Sequence, residues 1–161
     1  MVAPDWGNFA VITGSAAGAL TGLLFVAVSL NRERIATNSA LRGQAGQTLV
    51  LFMLPLLVSL LLVLPGSSVT TLGTGMIVLA AVAAAAMLLI GREKKPAGDD
   101  APDQLAQLLD KASPNLIVVA LIVVAGCLQL AGEDGLYWAA GASVVSLVSG
   151  VANAWLFLTR S

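Results

Sequence analysis

The sequence contains no histidine, a single cysteine and few charged residues, and these absences exclude several classes of function. Without histidine the chain lacks the commonest general base, the commonest metal ligand and the usual switch near neutral pH. Cys127 cannot form an intrachain disulfide and has no second thiol with which to share a metal. We therefore expect no metal site and no cofactor.

Charge is also scarce: 11% of residues are charged and 58% are hydrophobic, whereas roughly 25% of an ordinary soluble domain is charged. A soluble fold of 161 residues could not bury so much apolar surface, because small domains keep much of their area exposed. The lipid bilayer must then supply the apolar partner. The formal net charge of −1 leaves no basic stripe for phosphates, so no nucleic-acid partner is expected.

Five long apolar runs each approach the ~20 residues that cross about 30 Å of hydrocarbon. They cover residues 9–30, 47–64, 71–90, 114–131 and 136–158. The pattern predicts an all-α integral membrane protein, a bundle of five transmembrane helices that forms a single domain over residues 1–161. The sequence GEDG at residues 132–135 predicts a tight hairpin turn between the last two helices.

All eight basic residues fall on one side of the membrane if the chain crosses it five times. They lie in the loops 31–46 and 91–113 and at Arg160, after the last run. Because positive residues near span ends favour the cytoplasmic side, the N-terminus is predicted outside and the C-terminus in the cytoplasm. A four-span reading, with one run re-entrant, would split the basic residues between the two sides.

Gly14, Gly18 and Gly22 recur at four-residue spacing on one face of the first run. Missing side chains let a second backbone approach closely. Two readings stay open, namely packing against another helix of the same subunit and self-association between subunits. Because five short helices with small loops leave little room for an internal cavity, we expect a homo-oligomer that functions at its subunit interface or axis.

The fifth run has a polar face and an apolar face. Small and polar residues fall within about a third of its circumference, and those with polar side chains are Ser143, Ser146, Ser149 and Asn153. Bulky residues lie opposite and should face lipid; they are Tyr137, Val144, Val148, Val151 and Trp155. Interhelical hydrogen bonding and a water-accessible path both fit the polar face, because serine also bonds to carbonyls of its own helix. Thr21 and Ser29 of the first run join the lining if the glycine face packs beside that path.

Other polar residues in the runs have simpler interpretations. Asn115 and Gln129 lie near opposite ends of the fourth run, where hydration at the membrane interface would satisfy their amides. Pro55 predicts a kink in the second run. Cys127 is expected to be a small packed residue.

No acidic or basic residue lies in the middle of any run, although intramembrane charges mark proton relays, coupled transport and voltage sensing. A serine partnered by a base and a phosphate-binding glycine loop are also missing, so an enzyme is not expected. The favoured function is a small oligomeric channel for ions or small solutes. The alternatives are a non-catalytic scaffold or accessory subunit whose cytoplasmic loops bind a protein partner, and a transporter.

The opening residues WGNFAVITGSAAGALTGLLFVAVSLNRERI, followed by LRGQAGQTLVLFMLPLLVSLLLVLPG, resemble a family of small multipass membrane proteins of actinobacterial type. The resemblance covers residues 6–66 and carries neither an activity nor functional residues to this chain. It implies a bacterial cytoplasmic membrane protein in which the first two spans and the loop between them are the most distinctive part.

Overall fold

A computed structural model describes residues 4–92 and 104–159, and the regular elements within these ranges are α-helices. They are α1 (Pro4–Leu30), α2 (Arg32–Thr37), α3 (Ser39–Val63), α4 (Val69–Arg92), α5 (Gln104–Ala131) and α6 (Leu136–Thr159). The prediction of an all-helical protein is confirmed over this part of the chain. Part of the predicted loop 91–113, and Arg160, lie outside it.

Four stretches are long and apolar enough to cross a membrane: Trp6–Leu30, Leu41–Val63, Val69–Ile90 and Leu136–Leu156. They correspond to the first, second, third and fifth predicted runs. The apolar stretch in α5, Asn115–Ala131, is shorter. The chain is therefore a multipass membrane protein.

The predicted loop 31–46 is mostly helical, because α2 and the start of α3 lie within it. Ile35 of α2 is buried in a small apolar cluster with Ala45, and Val28 and Leu41 pack against the pair. The side chain of Asn38 caps α3, since its Oδ1 accepts a hydrogen bond from the backbone N–H of Leu41 at 3.3 Å. This segment is thus packed on the end of the bundle rather than extended into solvent.

Helices α3, α4, α5 and α6 form a ring in which each helix packs against its two neighbours, while α1 packs mainly on the outside of α3. Because α3 contacts α1 as well as its two ring neighbours, its apolar stretch is the most buried of the four that are long enough to cross a membrane. The apolar core lies within the ring and includes Leu51, Leu54, Val58, Met76, Ala80, Val118, Ile122 and Ala142.

The outward surface of the bundle is apolar, as a lipid-facing surface must be. The bulky residues that were predicted to face lipid from α6 are all exposed; they are Tyr137, Val144, Val148, Val151 and Trp155. The expectation that Cys127 is packed is wrong, because its side chain is exposed on α5. Gly126, its neighbour in sequence, is the small residue that packs inward instead.

The backbones of α4 and α5 approach each other closely at Gly73 and Gly126. A Cβ atom built on Gly126 would lie 2.9 Å from the carbonyl oxygen of Gly73, and one built on Gly73 would lie 2.9 Å from that of Gly126. Only glycine allows this reciprocal approach, in which Cα–H groups face the carbonyls of the other helix. We refer to Gly73 and Gly126 as the α4–α5 clamp.

The predicted hairpin between α5 and α6 is confirmed. Gly132 has a positive φ of 84°, a conformation that glycine adopts without strain. Its N–H donates to the carbonyl of Gln129 at 3.3 Å, and the N–H of Glu133 donates to that of Leu128 at 3.0 Å. This pattern is a Schellman motif, which ends α5 and reverses the chain.

Candidate functional site

Gly14, Gly18 and Gly22, the glycines of the α1 repeat, have different surroundings. A Cβ atom on Gly14 would lie 3.0 Å from Cβ of Ser59, and one on Gly18 would lie 3.7 Å from Cδ1 of Leu56. Gly14 and Gly18 thus pack against α3 of the same subunit, which is the first of the two readings left open by the sequence. A Cβ atom on Gly22 would meet nothing within 4 Å, so this glycine contributes nothing to packing within the subunit.

Thr21 and Ser29 differ in their exposure. The hydroxyl of Thr21 is buried and donates to the carbonyl of Ala17 at 2.8 Å, whereas that of Ser29 is exposed and donates to Phe25 at 2.8 Å. Both hydroxyls bond to their own helix. α1 itself packs mainly against α3 and makes few contacts with α6.

The polar residues of α6 divide into a buried pair and a partly exposed pair. Ser143 and Ser146 are buried, while Ser149 and Asn153 are half-buried nearer the C-terminal end of the helix. Ser143 donates to the carbonyl of Ala139 in its own helix at 2.8 Å. Ser146 instead donates to the carbonyl oxygen of Leu51 in α3 at 2.6 Å, so interhelical hydrogen bonding accounts for this residue.

The carbonyl of Leu51 is available to accept from Ser146 because of a proline in α3. In an α-helix the carbonyl of Leu51 would accept a hydrogen bond from the N–H of residue 55. Pro55 lies inside α3 and has no N–H. The hydroxyl of Ser146 supplies the donor that the proline removes. The sequence indicates the proline and the serine separately, but nothing in it indicates that they lie opposite each other.

A second close contact joins α3 and α6 one turn further along α6. A Cβ atom built on Gly150 would lie 2.5 Å from Cε1 of Phe52, so the phenylalanine ring packs directly on the α6 backbone. Both α3 residues involved, Leu51 and Phe52, are fully buried. We refer to Leu51, Phe52 and Pro55 together with Ser146 and Gly150 as the α3–α6 seam.

Two buried amide oxygens lie on the inward face of α5 without hydrogen-bond partners, Oδ1 of Asn115 and Oε1 of Gln129. Their side chains are only 4% and 8% exposed, so both amides lie inside the bundle near the ends of the apolar stretch. Ile122 lies midway between them and is 1% exposed. Seven-residue spacing puts all three on one face over about 21 Å of helix. We refer to these residues as the α5 line.

An unpartnered buried amide oxygen is costly, at about 1–3 kcal/mol. Water is the smallest molecule that can satisfy such a group, and buried waters usually bond to polar atoms of this kind. The two ends of the α5 line are therefore places where the ring interior favours water. Its middle, at Ile122, belongs to the apolar core and does not.

Among the residues described, no three His, Cys, Asp or Glu residues lie together as metal ligands would. No protein-family model, curated protein or solved structure matches this chain.

Proposed function

We propose that this protein is a small membrane channel for ions or small solutes, with a path through the α3–α4–α5–α6 ring that is closed in this conformation. The observation that carries the proposal is the α5 line, in which two buried amides with unpartnered oxygens flank an apolar residue on one inward face. Amide oxygens at the two ends offer hydrogen bonds to a permeating species. The apolar middle provides a barrier that can be hydrated or dry.

Closure by a hydrophobic constriction is a known way of gating a pore, because a narrow apolar segment expels water. In this chain Ile122, Leu51 and Met76 belong to the same buried apolar cluster. Hydroxyl groups of α6 lie in the same ring, and a hydrated path would use them as further partners. The lack of a charged ring favours weak ion selectivity.

The proposal includes five spans, because a path enclosed by four helices requires α5 to cross the membrane with its neighbours. Close pairing of α5 with both α4 and α6 supports this crossing. The distribution of basic residues then supports an outer N-terminus and a cytoplasmic C-terminus. We propose the bacterial cytoplasmic membrane as the location.

A path inside one ring does not require a second subunit. The predicted homo-oligomer stays a prediction, and the outward face of α1 around Gly22 is the surface that would carry it. Gly14 and Gly18 are already used against α3. The pore-lining role assigned to Ser143, Ser146, Ser149, Asn153, Thr21 and Ser29 likewise stays a proposal.

The proposal predicts that Ile122→Ser raises ion flux through purified protein in liposomes. Burying an isoleucine side chain is worth about 2 kcal/mol, so a hydroxyl at this position lowers the barrier to hydration and raises flux about thirtyfold. Val123→Ser is the matched control, since Val123 is the next residue on the same helix and is 37% exposed. Flux should be measured at several membrane potentials, with folding checked by circular dichroism.

Equal flux through wild type, Ile122→Ser and Val123→Ser, at the level of empty liposomes, would contradict a path through the ring. Equal stimulation by the two variants would show that the lipid-facing surface, and not the ring interior, leaks. A flux that rises only in Ile122→Ser supports the proposal.

A second function, that of a non-catalytic accessory subunit, is favoured by the packed segment at α2. Ile35 holds α2 on the end of the bundle while Arg32, Glu33 and Arg42 are exposed. A helix held in this way could present a charged surface to a protein partner. Absence of flux in every variant would leave this function as the better account.

A further inference from the structure

The four helix–helix interfaces of the ring are stabilised in different ways. Short connections at residues 64–68 and 132–135 join α3 to α4 and α5 to α6. At the interface of α4 with α5, the α4–α5 clamp brings the two backbones into direct contact. The α3–α6 seam has neither a short connection nor a reciprocal glycine contact; it is held by the hydrogen bond from Ser146 to Leu51 and by the packing of Phe52 on Gly150.

Ser146 differs from three other buried hydroxyls in its acceptor. Thr21, Thr48 and Ser143 each donate to the carbonyl four residues earlier in their own helix. Ser146 donates to Leu51, which lies 95 positions away in the chain. The equivalent acceptor for Ser146 within its own helix is the carbonyl of Ala142, which one rotation of the serine side chain would reach.

We propose that the hydrogen bond from Ser146 to Leu51 is a reversible latch on the α3–α6 seam. In the latched state the hydroxyl replaces the N–H that Pro55 lacks. In the released state Ser146 bonds to Ala142, the carbonyl of Leu51 takes a water molecule, and α3 separates from α6 while the α4–α5 clamp holds the rest of the ring. The latch concerns the opening of the ring and does not depend on what passes through it.

Hydrogen–deuterium exchange of the protein in lipid nanodiscs tests the latch at the backbone amides of α3. Ser146→Ala should speed exchange in peptides around Leu51 about three- to twentyfold, which is the range that intramembrane hydrogen bonds of roughly 0.6–1.7 kcal/mol produce. Pro55→Ala restores the N–H to α3. In that background Ser146→Ala should leave exchange within about twofold of its parent.

Ser143→Ala is the matched control, because Ser143 is equally buried but bonds within α6. It should leave exchange in α3 unchanged. The latch is overturned if Ser146→Ala leaves α3 exchange unchanged, or if the acceleration persists when Pro55→Ala is also present. If Ser146→Ala does not fold, the latch is also overturned, because the released state lacks the same hydrogen bond and must remain folded.

Discussion

Gly126→Ala is expected to lower the free energy of unfolding by about 2 kcal/mol, because overpacking at a close contact costs about 1–3 kcal/mol. The added methyl group would lie 2.8 Å from Cγ1 of Ile77 and 2.9 Å from the carbonyl oxygen of Gly73. The second of these atoms belongs to a helix backbone and cannot rotate away. Relief therefore requires α4 and α5 to move apart along their length.

The measurement is unfolding in mixed micelles with increasing SDS, followed by circular dichroism. Gly141→Ala is the control, because a Cβ atom on Gly141 meets nothing within 4 Å. The residue is exposed and lies within α6, away from the ends of the helix. Alanine is the better helix former by about 1 kcal/mol, so this variant should be as stable as wild type or more so. Equal stability of the two variants would show that the α4–α5 clamp contributes nothing.

Gly135→Ala is expected to lower the free energy of unfolding by about 3 kcal/mol, more than any other substitution described here. A Cβ atom on Gly135 would collide with the carbonyl oxygen of Ala125 and would lie 2.9 Å from the backbone N of Gln129. Both atoms belong to the last turns of α5. The start of α6 can accommodate the methyl group only by withdrawing from α5, which opens the hairpin.

Gly132→Ala in the same turn separates this collision from backbone strain. Gly132 has a positive φ, but a methyl group added to it would meet no atom within 4 Å, so its substitution costs only the strain of a left-handed alanine, about 1–2 kcal/mol. Both proteins should be compared by the same SDS titration. If Gly135→Ala lowers the free energy of unfolding less than Gly132→Ala does, backbone strain in the turn matters more to the stability of the hairpin than contact between the helices.

Much of the helix pattern is predictable, because bilayer thickness sets the length of an apolar run and glycine with charge marks a turn. The outward orientation of Val144, Val148 and Trp155 follows from helical periodicity in the same way. The second apolar run was predicted over residues 47–64, whereas the apolar stretch of α3 begins at Leu41 and the helix itself begins at Ser39.

Contacts between helices were much less predictable. The repeated spacing of Gly14, Gly18 and Gly22 drew attention to α1, whereas the α4–α5 clamp uses one glycine from each of two helices and has no spacing to detect. Ser146 bonds to the carbonyl that Pro55 leaves without a helical donor only because α3 lies beside α6. Neither neighbour relation can be derived from the periodicity of one helix.

The candidate site shows the same limit. The polar residues of α6 can be identified from the sequence, but their hydrogen-bond acceptors cannot. Ser143 bonds within its own helix, whereas Ser146 bonds to α3. Asn115 and Gln129 were assigned to hydrated interfaces because they lie near the ends of an apolar run. Packing of the neighbouring helices buries them, and it is this burial that makes their unpartnered oxygens informative.

Whether α5 crosses the membrane is the most direct test of the account, since the ring, its path and the latch all require that crossing. Single cysteines at Ser67, Ala97 and Glu133, in a Cys127→Ala protein, should be treated in intact cells with a thiol reagent that cannot cross membranes. If α5 crosses the membrane, Ser67→Cys and Glu133→Cys are labelled, while Ala97→Cys is labelled only after the cells are permeabilised. Protection of Glu133→Cys in cells where Ser67→Cys is labelled would place the two ends of the α4–α5 segment on opposite sides and contradict the five-span ring.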